Sequence, residues 1–136
     1  DVEKTFLQVG KYCKKDGVFL FDVNTLYKHQ HILGQNAFIY ETEQVFCAWQ
    51  NEYQPADHRV DIYLDFFVEE ATDVEEWDSP NYYRQQEEFS EWYYSPETLK
   101  ALLENAGFSL TAMFHADTKE PPKDTSQRIV YVAHKQ

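Results

Sequence analysis

Four large apolar residues in a row, Val18-Phe19-Leu20-Phe21, follow Gly17 and then break into the polar tail Asp22-Val23-Asn24-Thr25. A short apolar run of this kind, bounded by a glycine, reads as a strand covered on both faces, the pattern of a parallel sheet. Few folds accept it. In open α/β sheets ligands gather outside the carboxyl ends of the strands, so Asp22, Asn24 and Thr25 would project toward a site while Val18 to Phe21 pack between helices. The same residue types also start helices, and Leu26 to Leu33 reads as a short helix or irregular turn ending at Gly34. Asp22 is therefore equally placed to cap that turn.

The flanking sequence supplies the helices. Val2, Phe6, Val9 and Cys13 recur at helical spacing, widened by Leu7 and Tyr12, with Asp1 as N-cap. Lys11, Lys14 and Lys15 crowd the expected last turn, and Gly17 is expected to supply the left-handed residue that ends it. Ser95-Pro96-Glu97 is the strongest helix start in the chain: a capping hydroxyl, a proline in the first turn and an acid beside it. Leu99, Leu102, Leu103 and Ala106 continue it to Gly107. Phe108 to Phe114 then alternates as a strand, 115–127 is a loop containing Pro121-Pro122, and Ile129 to Ala133 is a last apolar strand.

Between these blocks the pattern is that of antiparallel strands. Phe38 to Tyr53 is rich in β-formers, with a change of phase that predicts a turn or bulge near Glu43. Gln54-Pro55-Ala56-Asp57 is a turn, and Val60, Ile62, Leu64 and Phe66 alternate with polar residues. The acidic stretch 69–80 reads as a solvated hairpin loop. Tyr82 to Tyr94 mixes helix-forming Arg-Gln-Gln-Glu-Glu with aromatic ends; a strand is expected, because it completes a meander where an isolated hairpin would be marginal.

Charge and composition narrow the function. With 136 residues the chain amounts to one domain, and acids outnumber bases 24 to 12, for a net charge of -12. Phosphate backbones need clustered Lys and Arg, so no nucleic acid is expected as a partner; a small molecule or a basic partner fits better. No apolar run approaches a membrane span and no signal peptide is visible, so a soluble, cytoplasmic protein is expected. Cys13 and Cys47 have neither disulfide nor metal spacing and read as buried small hydrophobes in a reducing compartment; no metal is expected. His29 and His31 read as a surface pair. The chain opens with Asp, already in a helix start, so a longer parent protein is expected.

The stretch Val9-Gly10-Lys11-Tyr12-Cys13-Lys14-Lys15-Asp16-Gly17-Val18-Phe19-Leu20-Phe21-Asp22 resembles the helix and fifth strand of class I S-adenosylmethionine-dependent methyltransferases. Leu102-Leu103-Glu104-Asn105-Ala106-Gly107-Phe108 resembles their last helix leading into the sixth strand, and Arg128 to Lys135 their antiparallel seventh. The resemblance implies an α/β fold. Residues 1–35 and 95–136 would form the C-terminal part of a partial Rossmann-like sheet. Residues 36–94 would be the inserted antiparallel meander, of three or more strands, that a bacterial subgroup places beside the substrate cavity. S-adenosylmethionine is the implied cofactor of the parent protein. That family holds it on a glycine-rich turn, and glycine occurs here only at 10, 17, 34 and 107. This chain alone is expected neither to bind the cofactor in the usual way nor to turn over.

The resemblance also implies a site. Asp22 and Asn24 would lie nearest the reacting methyl, Asp22 accepting a proton or orienting an amine, with Tyr27 beside them on the substrate. Tyr40, Trp49, Tyr53, Tyr83 and Trp92 of the meander would wall the cavity, or form core. Arg84 would clamp a substrate carboxylate or pair with Glu41 or Asp65, and His115 would stand at the rim. Another reading makes the acidic, aromatic meander a non-enzymatic binding module. A third makes it a dimerisation sheet exposing Val60, Ile62, Leu64 and Phe66.

Overall fold

The computed structural model describes residues 1–70 and 81–136. In chain order the elements are α1 (Val2–Tyr12), β1 (Val18–Asn24), a π-helical turn (Lys28–Leu33), β2 (Ala37–Glu41), β3 (Val45–Gln54) and β4 (Arg59–Glu69). They are followed by β5 (Tyr82–Trp92), α2 (Pro96–Asn105), β6 (Phe108–His115) and β7 (Arg128–Lys135). Two compact units result, one of Asp1–Lys28 with Tyr93–Gln136 and one of His29–Trp92. The expected loop at 69–80 lies, beyond Glu70, outside the described residues.

In the first unit the strand order is β1-β7-β6. β7 runs antiparallel to both neighbours, so β1 and β6 point the same way. One face of this sheet is packed. Phe19, Phe21 and Val23 of β1 and Ile129, Tyr131 and Ala133 of β7 meet Phe6 of α1 and Leu99 and Leu103 of α2. Phe21 stacks on Tyr131 at 5.1 Å, and Phe6 lies 5.0 Å from Phe21, ring to ring. The other face is a correction to the doubly covered strand read from Val18 to Phe21, because Val18 and Leu20 are 52% and 61% exposed. Both helices pack on the first face, and among the described residues β1 pairs only with β7. Its second edge is open.

The C-terminal end of α1 also differs from expectation, while its start does not. Asp1 accepts the Lys4 amide at 3.3 Å, as an N-cap should. The helix stops at Tyr12, however, with Cys13 already extended, so Lys14 and Lys15 lie outside it. The left-handed residue is Asp16 (φ 63°), and not Gly17. Gly17 is needed for another reason: a Cβ there would stand 2.7 Å from Cys13 Sγ and 2.8 Å from the Lys14 carbonyl oxygen. Asp16 and Gly17 are tied to the end of β7, Asp16 N–H donating to Lys135 O at 3.0 Å and Lys135 N–H to Gly17 O at 2.8 Å. α2 begins as its sequence dictates, Ser95 Oγ accepting the Thr98 amide at 3.1 Å, and ends on left-handed Gly107. Both cysteines are half-buried and free.

The second unit is a four-stranded antiparallel meander, β2-β3-β4-β5, with the turn near Glu43 between β2 and β3. One face carries Val60 and Ile62, which are buried against Leu33 with Phe38, Trp49, Tyr53 and Leu64 around them. Val60 and Ile62 therefore do not form the exposed dimerisation face considered from sequence. The π-helical turn closes on Gly34, whose N–H donates to His29 O at 2.7 Å. His29 corrects the expected surface pair: it is 1% exposed, with Nε2 3.8 Å from Glu91 Oε2.

The opposite face of the meander is held by carboxylates. Asp65 accepts from Arg84 Nε at 2.7 Å and Gln86 Nε2 at 2.8 Å, while Asp61 accepts from Ser90 Oγ at 2.6 Å, Arg59 Nη2 at 3.2 Å and Gln54 Nε2 at 3.2 Å. The Ser90 hydroxyl first, with Arg59 and Gln54 behind it, holds the Asp61 carboxyl below its ordinary range. A lowered folded-state pKa stabilises above the unfolded-state value and ceases to do so as pH falls through the folded one. Urea midpoints of the parent and Asp61→Asn should therefore differ most near neutral pH and converge in acid. A gap that stays constant down to about pH 3 would refute this role for the charge.

Candidate functional site

β1 ends in Val23 and Asn24, and the chain turns at Thr25. Three bonds fix that turn. Thr25 Oγ1 donates to Ser126 O at 2.5 Å, Thr25 N–H donates to Gln127 O at 3.1 Å, and Thr25 Oγ1 accepts the Lys28 amide at 3.1 Å. The cap of the turn is thus Thr25, and not Asp22. Across from it the β6–β7 loop is pinned by Ser126, 1% exposed, whose Oγ accepts the Lys123 amide at 2.9 Å and bonds His115 Nδ1 at 2.8 Å. The third wall comes from Tyr93 and Tyr94, where the chain leaves β5 and enters α2 at Pro96.

These pieces enclose a cavity of about 180 Å³ lined by Asn24, Tyr27, Tyr93, Tyr94, Tyr131, Lys123 and Asp124, among others. Its chemistry is that of neutral phenols. Burial, aided by Tyr93 and Glu97, pushes the Tyr131 hydroxyl up to about 12, and burial with Glu97 raises Tyr93 as well. Both remain protonated at neutral pH and can donate or accept a hydrogen bond. Lys123 is ion-paired with Glu120.

The residues singled out from sequence divide between the two units. Asn24 and Tyr27 line the cavity, and Lys28 Nζ donates to Asn24 Oδ1 at 3.0 Å. Asp22, one residue out of phase with Val23, pairs with Arg128 Nε at 3.1 Å, and Arg128 also reaches Asp117 at 3.4 Å. His115 borders a separate, polar cavity of about 410 Å³ with Lys28 and Arg128. In the meander Tyr40 and Trp49 are neighbours, with rings 6.1 Å apart, and Trp49 Nε1 donates to Asn51 Oδ1 at 2.6 Å. Tyr53 is bonded to His58 Nδ1 at 2.7 Å. Arg84 is the partner of Asp65, Trp92 lies beside Arg59, and Tyr83 is exposed.

Sequence reasoning missed Tyr93, Tyr94, Tyr131 and Ser126. Tyr131 was hidden in an apolar strand. The tyrosine pair had a usable signal: it stands directly before Ser95-Pro96, which obliges the strand to stop and aims what precedes it at the mouth of α2. Among the described residues no group of three His, Cys, Asp or Glu is placed to hold a metal. No helix is long and apolar enough to cross a membrane.

The glycines test the implied cofactor. Gly10 lies within α1, Gly17 precedes β1, Gly34 closes the π-helical turn and Gly107 ends α2. None stands between the carboxyl end of a strand and the start of an α-helix, where a nucleotide-bearing turn must be.

No family model matches the chain. It is 31% identical over 135 residues to a "Putative methyltransferase" of Geobacillus sp. (strain WCH70), covering 99% of this chain and 52% of that protein. To "Putative methyltransferase YqeM" of Bacillus subtilis (strain 168) it is 27% identical, covering 99% and 51%. Among solved structures, an S-adenosylmethionine-dependent methyltransferase from Clostridium acetobutylicum ATCC 824 superposes with a TM-score of 0.79 at 29% identity, over 98% of this chain and 50% of that one. CalS10, an amino pentose methyltransferase from Micromonospora echinaspora with S-adenosylmethionine bound, shares the fold alone, with a TM-score of 0.59 at 11% identity over 98% and 50% of the two chains. The chain spans about half the length of the curated relatives it matches. The likeness to methyltransferases read from residues 9–22 and 102–108 thus extends over nearly the whole chain and is consistent with a C-terminal half.

Proposed function

We propose, starting from a chain that matches half of a methyltransferase, that it supplies the substrate-side half of an S-adenosylmethionine-dependent enzyme acting on a small molecule. The observation that carries this reading is the likeness, over 98% of the chain, to the clostridial S-adenosylmethionine-dependent methyltransferase. The strand order supports it. β1, β7 and β6, with the outer two parallel and the middle one reversed, correspond to the fifth, seventh and sixth strands of a Rossmann-like sheet, and β2 to β5 to an inserted cap. The open edge of β1 and the bare Val18 and Leu20 then become the surface against which the rest of such a sheet would pack.

In this reading the residues of this chain bind and orient the acceptor. The cofactor would supply an electrophilic methyl group from outside the residues described. Fixing the acceptor can account for about 7–11 kcal/mol of a barrier, so a site at the end of β1 needs shape more than an acid-base set. Asn24 and Tyr27 line the cavity together with Val23, Thr25 and Leu26 of β1 and its turn, and Tyr93, Tyr94 and Tyr131 supply further walls.

Calorimetric titration tests the reading. S-adenosylmethionine should give no heat with the 136-residue chain and micromolar binding with a form extended at the N-terminus to the length of the curated relatives. Tight binding by the short form would refute the division of labour. No binding by the long form would favour the meander as a non-enzymatic binding module.

A further inference from the structure

We propose that the tyrosine-lined cavity at the end of β1 is a receptor for a small protonated amine. The inference rests, for its place in catalysis, on reading that cavity as the acceptor site. Tyr131 is 1% exposed and lines the cavity, yet its hydroxyl has no hydrogen-bond partner among the described residues. The hydroxyl oxygen is not sealed within the core but borders the cavity, so a ligand there can bond it. Because it stays protonated at neutral pH, it presents an oxygen lone pair to an ammonium N–H while its own proton remains free to bond elsewhere.

Three further features select a cation over a neutral or anionic group. Tyr93, Tyr94 and Tyr131 bring aromatic rings to one small space, and ring faces attract cations. Asp124 lines the same cavity and has neither an ion pair nor a side-chain hydrogen bond among the described residues, which leaves its carboxylate available. Lys123, the one cation in the lining, is already neutralised by Glu120. A carboxylate ligand would meet Asp124 and the nearby Glu97 and be repelled. The volume of about 180 Å³ has room for roughly six water-sized groups. That suits an alkylammonium headgroup and excludes a nucleoside.

The test uses n-propylammonium chloride and its neutral counterpart n-propanol, titrated into the full chain with ¹³C-labelled tyrosine rings followed by NMR. The ammonium should shift Tyr93, Tyr94 and Tyr131 saturably in the millimolar range, at least about fivefold more tightly than the alcohol. Asp124→Asn, an exposed loop change that the fold tolerates, should weaken binding about fivefold. Tyr131→Phe should weaken it by a similar factor while the melting temperature stays level or rises, since the lost hydroxyl had no hydrogen-bond partner among the described residues. Equal affinity for the alcohol, or an unchanged affinity in Asp124→Asn, would overturn the proposal. The readout needs neither cofactor nor turnover, so failure here and failure of the S-adenosylmethionine titration are separate results.

Discussion

Gly10→Ala should destabilise the first unit by roughly 2 kcal/mol, read from urea unfolding followed by far-UV circular dichroism. On helix propensity alone the sign would be the reverse, because alanine is favoured over glycine within a helix by about 0.5–1 kcal/mol. What reverses it is the approach of α1 to the end of α2: a Cβ on Gly10 would overlap the carbonyl oxygen of Ala106. That carbonyl has little freedom to recede, since it accepts from Lys135 Nζ at 3.2 Å and caps a helix whose next residue is left-handed Gly107. α1 would have to lift instead, and Phe6 would leave its contacts with Phe19 and Phe21. Overpacking of this kind costs about 1–3 kcal/mol. A variant as stable as the parent, or more stable, would mean the two helices are not so closely apposed.

Ser126→Ala should cost about 1–3 kcal/mol and also loosen the cavity wall. The side chain is fully buried, and one oxygen serves both the Lys123 amide and His115 Nδ1. Removing it leaves two polar groups without their partner, the expensive case in hydrogen-bond energetics. Lys123 and Asp124 ride on that loop, so the variant should weaken n-propylammonium binding while Ser126→Cys, of similar shape, recovers part of it. Amide hydrogen exchange supplies the independent measure: residues 115–127 should lose protection while α1 and β1 keep theirs. Unchanged protection in that loop would show that Ser126 does not hold it.

Much of this fold follows from signals that act within a few residues. Ser95-Pro96-Glu97 starts a helix wherever it is placed, and the alternation from Val60 to Phe66 can bury only one face of a strand. Strand type was legible for the same reason. Coverage was not: Phe19 and Leu20 are both large and apolar, and which of them meets a helix depends on where α1 and α2 lie. Asp16 holds the left-handed position expected of Gly17, because a glycine can answer a steric need as readily as a torsional one. His29 is buried by the π-helical turn, whose wider winding no spacing of side chains in the sequence announces. That Asn24 and Tyr27 lie at a cavity follows from their place at the end of β1. The same does not hold for Tyr131 and Ser126, since their importance comes from pairing across more than a hundred residues of chain.

That long-range pairing also sets an order of events. The partner of β1 is β7, with Thr25 bonded to a residue 102 positions later, whereas β3 and β4 are joined by a tight turn and pair almost entirely with their neighbours in sequence. Closing a loop of that span is slow relative to zipping a hairpin. On a ribosome the meander can therefore take shape while β1 still waits for β7, the strand that completes its pairing.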